Sequence, residues 1–275
     1  MILLNMLTRV YKQKKLLYNS LRKIIKFFRK DVIMGIIYGK NPVMEAIEAG
    51  KTINKIYVSK GAKDSFEVIK KAKENRIIVV DADKQKLDKM VDGKNSQGIV
   101  ASITDYEYFE IEDILEYAKS KNEAPFVVIL DKIEDPHNLG AIIRSAECMG
   151  VHGVIIPKRN ACQVTDTVEK VAAGATSFVR VARVTNITDT IKDLQKAGLW
   201  IYGLDMDGAE DVYNTKFEGP IGIVVGNEGN GISRLVAKNC DFIVKIPMDG
   251  NINSLNASVS AAICMYEVVR QKKLR

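Results

Sequence analysis

Three separate segments of the chain combine glycine, asparagine and small polar residues in a way that a packed core does not require. They span residues 135–144, 226–231 and 246–258. Glycines let the backbone approach a ligand closely, so that exposed N–H groups can bind it, while amide and guanidinium groups orient and polarise bound molecules. The composition of the three segments therefore indicates a binding site in which the backbone itself makes contacts.

The first segment places Asn138 six residues before Arg144. Two interpretations of Asn138 stay open, because its side chain could cap the start of a helix or belong to a site. Arg144 lies among apolar residues of the same predicted helix. A guanidinium there needs an anionic or carbonyl partner, because an unpaired buried charge is costly.

The second segment reads Gly-Asn-Glu-Gly-Asn-Gly over residues 226–231 and follows a late apolar run. It matches neither GxGxxG nor GxxxxGK[ST], which argues against a nucleotide-dependent oxidoreductase and against a nucleoside triphosphatase. A plain turn would account for the glycines. It would not account for Glu228 between them, so Glu228 is a candidate site residue.

The third segment begins with Ile246 and Pro247 and continues into a run that contains Ser254, Leu255 and Asn256. Pro247 is expected to end a strand. Ser254 has two open interpretations, as the N-cap of the last helix or as a site residue. The segment lies beside the other two only if the preceding strands are neighbours in one sheet.

The elements that would bring the segments together are short apolar strands that alternate with helices. Continuous apolar runs of this kind predict an α/β domain with a parallel sheet covered on both faces, whose ligands bind beyond the carboxyl ends of the strands. The predicted strands span 126–130, 153–156, 178–184, 199–204, 221–225 and 242–246.

A smaller α/β unit is predicted before this domain, between residues 35 and 103. We therefore expect four parts: an extension at 1–33, a small domain at 34–106, an acidic, mostly helical linker at 107–124, and the large domain at 125–275.

The basic charge of the chain is concentrated in the extension. The formal net charge is +7, but residues 1–33 contain nine Lys and Arg and a single acid, so the remainder carries −1. Apolar residues at helical spacing predict a basic amphipathic helix there. It could bind RNA phosphates, lie on an anionic membrane surface or resemble a targeting peptide, or Met34 could be the natural start.

Neither a metal site nor a membrane span is expected. The four cysteines are scattered without a CxxC pair, and His137 and His152 are isolated, so we expect reduced core thiols and no metal. No run of 18 apolar residues and no signal peptide occurs. These features predict a cytoplasmic protein without stable membrane association.

Together the three segments resemble the sequence motifs of the SpoU/TrmH (SPOUT) family of RNA ribose 2′-O-methyltransferases. The family motifs are N-x-G-A-x-x-R, matched at 138–144, G-N-E-G-x-G, matched at 226–231, and I-P-M…S-L-N-x-S, matched at 246–258. Residues 37–43 and 96–99 resemble the RNA-binding domain of members that act on 23S rRNA. The resemblance covers residues 35 to 275 and leaves the extension unmatched.

The resemblance implies a trefoil knot in the large domain, S-adenosylmethionine as methyl donor, a homodimer, and a guanosine of 23S rRNA as substrate. A tRNA 2′-O-methyltransferase of the same family and a non-catalytic RNA-binding ribosome-assembly factor are the alternatives. By position, the implied contacts to the methyl donor are Gly226, Ile246 and Leu255. The implied catalytic residues are Asn138, Arg144, Glu228, Ser254 and Asn256.

Overall fold

The computed structural model describes residues 32–33, 35–62, 65–104, 106–227, 229, 231–251 and 254–274. The chain divides into two compact units between residues 105 and 106. The amphipathic helix that the sequence predicts for the extension lies outside the described residues.

The first unit is a five-stranded sheet in the order β1-β2-β5-β3-β4, antiparallel except for the β3/β4 pair. Helices α1 and α2 pack on one face, and α3 packs on the other through Leu87. In chain order its elements are β1 Val32–Ile33, β2 Ile36–Tyr38, α1 Lys40–Glu48, β3 Thr52–Val58, α2 Ser65–Glu74, β4 Val79–Asp81, α3 Lys84–Met90 and β5 Ile99–Thr104.

The second unit is built on a seven-stranded sheet in which every neighbouring pair is parallel, in the order β10-β12-β9-β11-β6-β7-β8. The predicted α/β fold with a parallel sheet is confirmed. Its elements are α4 Ile111–Ser120, β6 Phe126–Asp131, α5 Pro136–Cys148, β7 Gly153–Pro157, α6 Asp166–Ala172, a 3-10 turn Ala175–Ser177, β8 Arg180–Val184, α7 Ile187–Lys196, β9 Trp200–Leu204, β10 Glu210–Asp211, β11 Ile221–Gly226, α8 Arg234–Asn239, β12 Phe242–Lys245 and α9 Ala257–Lys273.

Helices cover both faces of this sheet, which explains why its central strands show no alternation of apolar and polar residues. Every residue of β6, β7 and β11 is buried. Helices α5, α6 and α9 enclose one core, and α4, α7 and α8 enclose the other. A strand buried on both sides gains from apolar residues at every position, which is the pattern that the sequence carries.

The two-residue strand β10 was not predicted. It pairs through its backbone with the end of β12, placing Glu210 opposite Val244 and Asp211 opposite Lys245. Main-chain hydrogen bonds hold these two acidic residues at the edge of the sheet. The strand therefore has no apolar run by which it could be recognised in the sequence.

Residues 107–124, where a linker was expected, pack within the second unit together with Tyr106. The Tyr106 hydroxyl accepts a hydrogen bond from Val181 N at 3.0 Å, and the Tyr108 hydroxyl accepts one from Val164 N at 2.8 Å. Ile114 of α4 is fully buried and lies directly over Gly153, where a Cβ would overlap with its side chain. The segment thus contributes a helix to one face of the sheet.

The cysteines and histidines take mostly structural positions. Cys264 is buried, and burial raises the pKa of its thiol to about 12. Cys148 is exposed, so the prediction that all four cysteines are core residues was wrong for this one. His152 is buried, and its Nδ1 accepts a hydrogen bond from Phe126 N at 3.0 Å. Among the described residues no His, Cys, Asp and Glu cluster could hold a metal ion, and no helix is long and apolar enough to cross a membrane.

Truncating Ile114 to alanine should destabilise the second unit by about 2–5 kcal/mol, because it leaves a cavity between α4 and β7. Urea unfolding followed by the fluorescence of Trp200, the single tryptophan of the chain, reports on this unit. The exposed Glu116→Ala on the same helix is the control. Equal midpoints for the two variants would show that α4 does not pack as described.

Candidate active site

The strand order brings the ends of the three polar segments to one edge of the second sheet. Strands β12, β9, β11 and β6 are consecutive neighbours and all parallel. The loops that follow them therefore leave from the same carboxyl edge, where ligands of parallel sheets bind. Residues 135–144 follow β6, residues 226–231 end β11 and begin its loop, and residues 246–256 follow β12.

A side-chain hydrogen bond joins the first segment to the third. Asn256 Nδ2 donates to Asn138 Oδ1 at 2.9 Å, across 118 positions of sequence. Asn138 is buried, with 7% of its surface exposed, in the first turn of α5. The amide oxygen of Asn256 accepts hydrogen bonds from Ser258 N and Ser258 Oγ at 2.9 and 2.6 Å. One amide therefore caps α9 and holds it against α5.

The capping interpretations of Asn138 and Ser254 are both wrong. Helix α5 is capped by Asp135, whose Oδ1 accepts a hydrogen bond from His137 N at 3.0 Å, with Pro136 as the first helical residue. Helix α9 is capped by Asn256. Asn138 is thus left to pair with Asn256, and Ser254 stands exposed in the loop before α9.

Backbone contacts hold the two ends of the glycine loop, residues 226–231, close together. Gly226 lies opposite Asp131 at the ends of the β11 and β6 strands. A Cβ at Gly226 would overlap with the carbonyl group of Gly231. Gly231 N donates to Asn227 O at 3.0 Å, and Gly231 has a φ of 60°, which favours glycine. Glu228, a predicted site residue, lies outside the described residues.

Asp131 is part of this arrangement and was not predicted from the sequence. It is buried, with 5% of its surface exposed, and its Oδ2 accepts a hydrogen bond from Ser233 N at 2.7 Å. Ser233 is the N-cap residue of α8. Asp131 therefore ties the exit of the glycine loop to the end of β6. Its position at the end of an apolar run was the available signal.

The other two predicted contacts to the methyl donor lie within the third segment. Ile246 directly follows β12 and packs, half-buried, against the core between the sheet and α9. Leu255 is half-buried immediately before the cap residue Asn256. The structure thus places Gly226 at the end of β11 and Ile246 and Leu255 in the loop after β12, at one edge of the sheet.

Arg144 occupies a different environment from the one expected. It is exposed on α5, although its neighbours Ile142 and Ile143 are fully buried, so the requirement for a buried partner does not arise. It lies six residues, roughly 9 Å along the helix, from Asn138. Within the described part of the chain Arg144 forms no ion pair. Its charge is available to an anion that comes from outside the subunit fold.

Replacing Asn256 with alanine should destabilise the second unit by about 1–3 kcal/mol, because α9 loses its cap and Asn138 loses a donor. Asn256→Ser retains a capping oxygen and should recover part of that loss. Urea unfolding followed by Trp200 fluorescence measures both variants. A wild-type midpoint for Asn256→Ala would contradict the hydrogen bonds described above.

Comparison with known proteins identifies both units. Residues 125–266 match the model of the SpoU rRNA methylase family, and residues 36–109 match the RNA 2′-O ribose methyltransferase substrate-binding domain. A putative TrmH family tRNA/rRNA methyltransferase of Bacillus subtilis is 42% identical over 238 residues, which are 86% of this chain and 95% of the relative.

Solved structures agree with this result. The SpoU methyltransferase AviRb of Streptomyces viridochromogenes, crystallised with AdoMet, is 26% identical with a TM-score of 0.55 and covers 86% of this chain and 90% of its own. A TrmH/SpoU tRNA modifying enzyme of A. aeolicus shares the fold, with 24% identity and a TM-score of 0.51, over 59% of this chain and 84% of its own. The chain therefore belongs to the SpoU methylase family of S-adenosylmethionine-dependent RNA methyltransferases, as its three motifs predicted.

Proposed function

We propose that the protein transfers a methyl group from S-adenosylmethionine to a ribose 2′-hydroxyl of RNA, and that its substrate is a guanosine of 23S rRNA. The observation that supports this best is the junction of the three motif loops at one sheet edge, held by the hydrogen bond between Asn138 and Asn256. The family model of the first unit, which describes RNA 2′-O ribose methyltransferases, supports the position of the methyl group.

Gly226, Ile246 and Leu255 would hold the methyl donor. At Gly226 the backbone has no room for a side chain, which is what a loop needs when its peptide groups themselves contact a ligand. The half-buried side chains of Ile246 and Leu255 offer apolar surface next to that loop. When bound, the sulfonium group supplies an already activated methyl group.

In the reaction, the 2′ oxygen bonds to the methyl carbon as the methyl–sulfur bond breaks, and the hydroxyl proton leaves to solvent. We assign Arg144 the role of activating the 2′ oxygen. A guanidinium stays protonated at any accessible pH, so it acts by its charge and not as a base. It lowers the pKa of the hydroxyl or grips the adjacent phosphate bidentately.

The other predicted catalytic residues position these groups. Asn138 is buried and bonded to Asn256, so this pair fixes the loop that carries Ser254 and Leu255. Ser254 is exposed at that loop and can orient a ribose or phosphate oxygen. Glu228 is assigned a similar orienting role on the basis of its motif position.

The trefoil knot and the homodimer belong to the same proposal. The chain passes from β11 to β12 at the far side of β9, then returns across the carboxyl edge so that α9 packs on β11 and α5. A return of this kind supports the proposed knot. Helix α9 also exposes an apolar stripe of Val259, Ile263 and Tyr266, at 45%, 37% and 57%, which suits a face between two subunits. Among its other apolar residues, Ala261, Met265 and Val268 are buried in the core.

The presence of the first unit favours ribosomal RNA over tRNA as the substrate. The tRNA-modifying enzyme covers 59% of this chain, whereas the SpoU methyltransferase AviRb covers 86%. Residues 34–105 carry 13 basic and 10 acidic residues, whereas residues 106–275 carry 19 and 23. The small unit thus supplies the positive charge that RNA binding needs. A ribosomal substrate also fits the cytoplasmic location that the sequence predicts.

Arg144→Ala should reduce the rate of methyl transfer by at least about 100-fold, because it removes the charge assigned to the reacting oxygen. The affinity for S-adenosylmethionine, measured by calorimetry, should stay near that of the wild type. Arg144→Lys keeps the charge without the bidentate fork and should retain partial activity. Near-normal turnover by Arg144→Ala would refute the assignment.

Deleting the protein should remove one 2′-O-methylated guanosine from 23S rRNA while leaving tRNA methylation unchanged. Mapping ribose methylation across rRNA and tRNA in the deletion strain and its parent measures this. Complementation with the wild-type gene should restore the modification, and the Arg144→Ala variant should not. Loss of a tRNA methylation instead would assign the protein to the alternative substrate.

A further inference from the structure

The loop after β7 carries a short cationic turn at the same sheet edge as the site. Residues 158–160 are Lys158, Arg159 and Asn160, and we name them the basic turn. Arg159 and Asn160 are exposed, and Lys158 is partly exposed. The whole loop between β7 and α6 up to Val164 contains these two cations and no carboxylate.

Hydrogen bonds join this loop to the one that leads to Asn138. Cys162 N donates to Ile133 O at 2.8 Å, and Ile133 lies between β6 and α5. Strand β7 is the direct neighbour of β6 on the side away from β11. Since strands are spaced about 4.8 Å apart, the basic turn lies roughly 10 Å from the glycine loop in the plane of the sheet.

Hydrogen bonds to neighbouring backbone groups fix the shape of the basic turn. The side chain of Gln163 is buried, and its Nε2 donates to Pro157 O at 3.0 Å and to Ala161 O at 3.4 Å. Lys158 N donates to Val184 O at 2.8 Å, which extends the pairing of β7 with β8. Asn160 has a φ of 52°. Such a turn presents its two cations in a fixed geometry, so little conformational entropy is lost on binding.

Neither cation is neutralised by the surrounding protein. Within the described ranges, Lys158 and Arg159 form no ion pair. Lys132, exposed at the end of β6, adds a third positive charge, while Glu134 and Asp135 lie further along the same loop. The Asp135 side chain accepts a hydrogen bond from its own helix.

The opposite side of the same edge is acidic. Asp207, Glu210 and Asp249 are exposed in the loops and short strand that follow β9 and β12, and Asp205 and Asp211 are partly exposed beside them. Carboxylates repel the phosphates of RNA, so the side of the edge over β6 and β7 is a more favourable approach for a polynucleotide than this one.

We propose that the basic turn binds the phosphodiester backbone of the substrate RNA beside the nucleotide that is methylated. Lys158 and Arg159 contact phosphate oxygens, and Gln163 is a positioning residue that keeps the turn in shape. The partner is an RNA strand and not a free anion, because the two cations are adjacent to the loops of the site and the far side of the edge excludes phosphates. This inference rests on the proposed methyl transfer and adds to it the direction from which the RNA enters.

The test compares Lys158→Gln/Arg159→Gln with the full-length wild-type chain, using transcribed 23S rRNA as the probe. Binding measured across a salt series should show an affinity at least about 10-fold lower, and a salt slope smaller by about 1.4–1.8, because two phosphate contacts are lost. The KM for RNA should rise, whereas the single-turnover rate at saturating RNA and the affinity for S-adenosylmethionine should stay at wild-type values.

The control, Lys192→Gln/Lys238→Gln, removes two exposed charges from α7 and α8 and should leave the salt slope unchanged. Lys158→Arg/Arg159→Lys keeps both charges and should retain most of the affinity. The inference is overturned if the turn variant and the control have the same salt slope and KM. If the wild-type chain binds the transcript but methylates no RNA, the proposed function fails while the binding comparison still decides the role of the turn.

Discussion

The arrangement of the second unit depends on one amide pair. Asn256 uses its oxygen to cap α9 and its nitrogen to bind Asn138, so neither interaction can be lost without disturbing the other. Because Asn138 is buried in the first turn of α5, its oxygen needs a partner, and the pair fixes where α9 begins relative to the sheet. The loop that carries Ile246, Ser254 and Leu255 is therefore anchored at β12 and at this pair.

A second constraint is the close approach of two glycines, which leaves no room for a side chain. Gly226 and Gly231 approach each other so closely that the glycine loop is closed by main-chain contacts, and the Asp131 carboxylate holds the backbone that leaves it. Side chains set the positions of the helices, whereas the described ends of this loop are held mainly by peptide groups. Gly229 N donates to Asn227 Oδ1 at 3.2 Å and Gly231 N donates to Asn227 O at 3.0 Å, so the described part of the loop is positioned by its own hydrogen bonds.

Sequence reasoning recovered the strands and helices of both units except β1 and β10, because continuous apolar runs and helical spacing report burial directly. It failed where more than one nearby residue could be the N-cap of a helix. Ser254, Asn256 and Asp135 can all cap a helix, and only the path of the loop decides which one does. The exposure of Arg144 was also hidden, because its apolar neighbours on α5 face the core while the residue itself faces outward. Asp131 was missed because its partner, Ser233, lies 102 positions away.

The distribution of charge gives the two units different tasks. The second unit carries more acids than bases, so at long range it does not attract RNA, and beyond about 8–10 Å its individual charges are screened. Attraction then comes from residues 1–105 of the same chain, because residues 1–33 carry a net charge of +8 and residues 34–105 carry +3. This charge raises the local concentration of RNA without specifying a nucleotide. The few cations at the sheet edge act at contact distance, where position matters more than net charge. Residues 1–105 thus account for the long-range attraction, whereas the proposed basic turn adds affinity and fixes the register of the strand through contacts at the sheet edge.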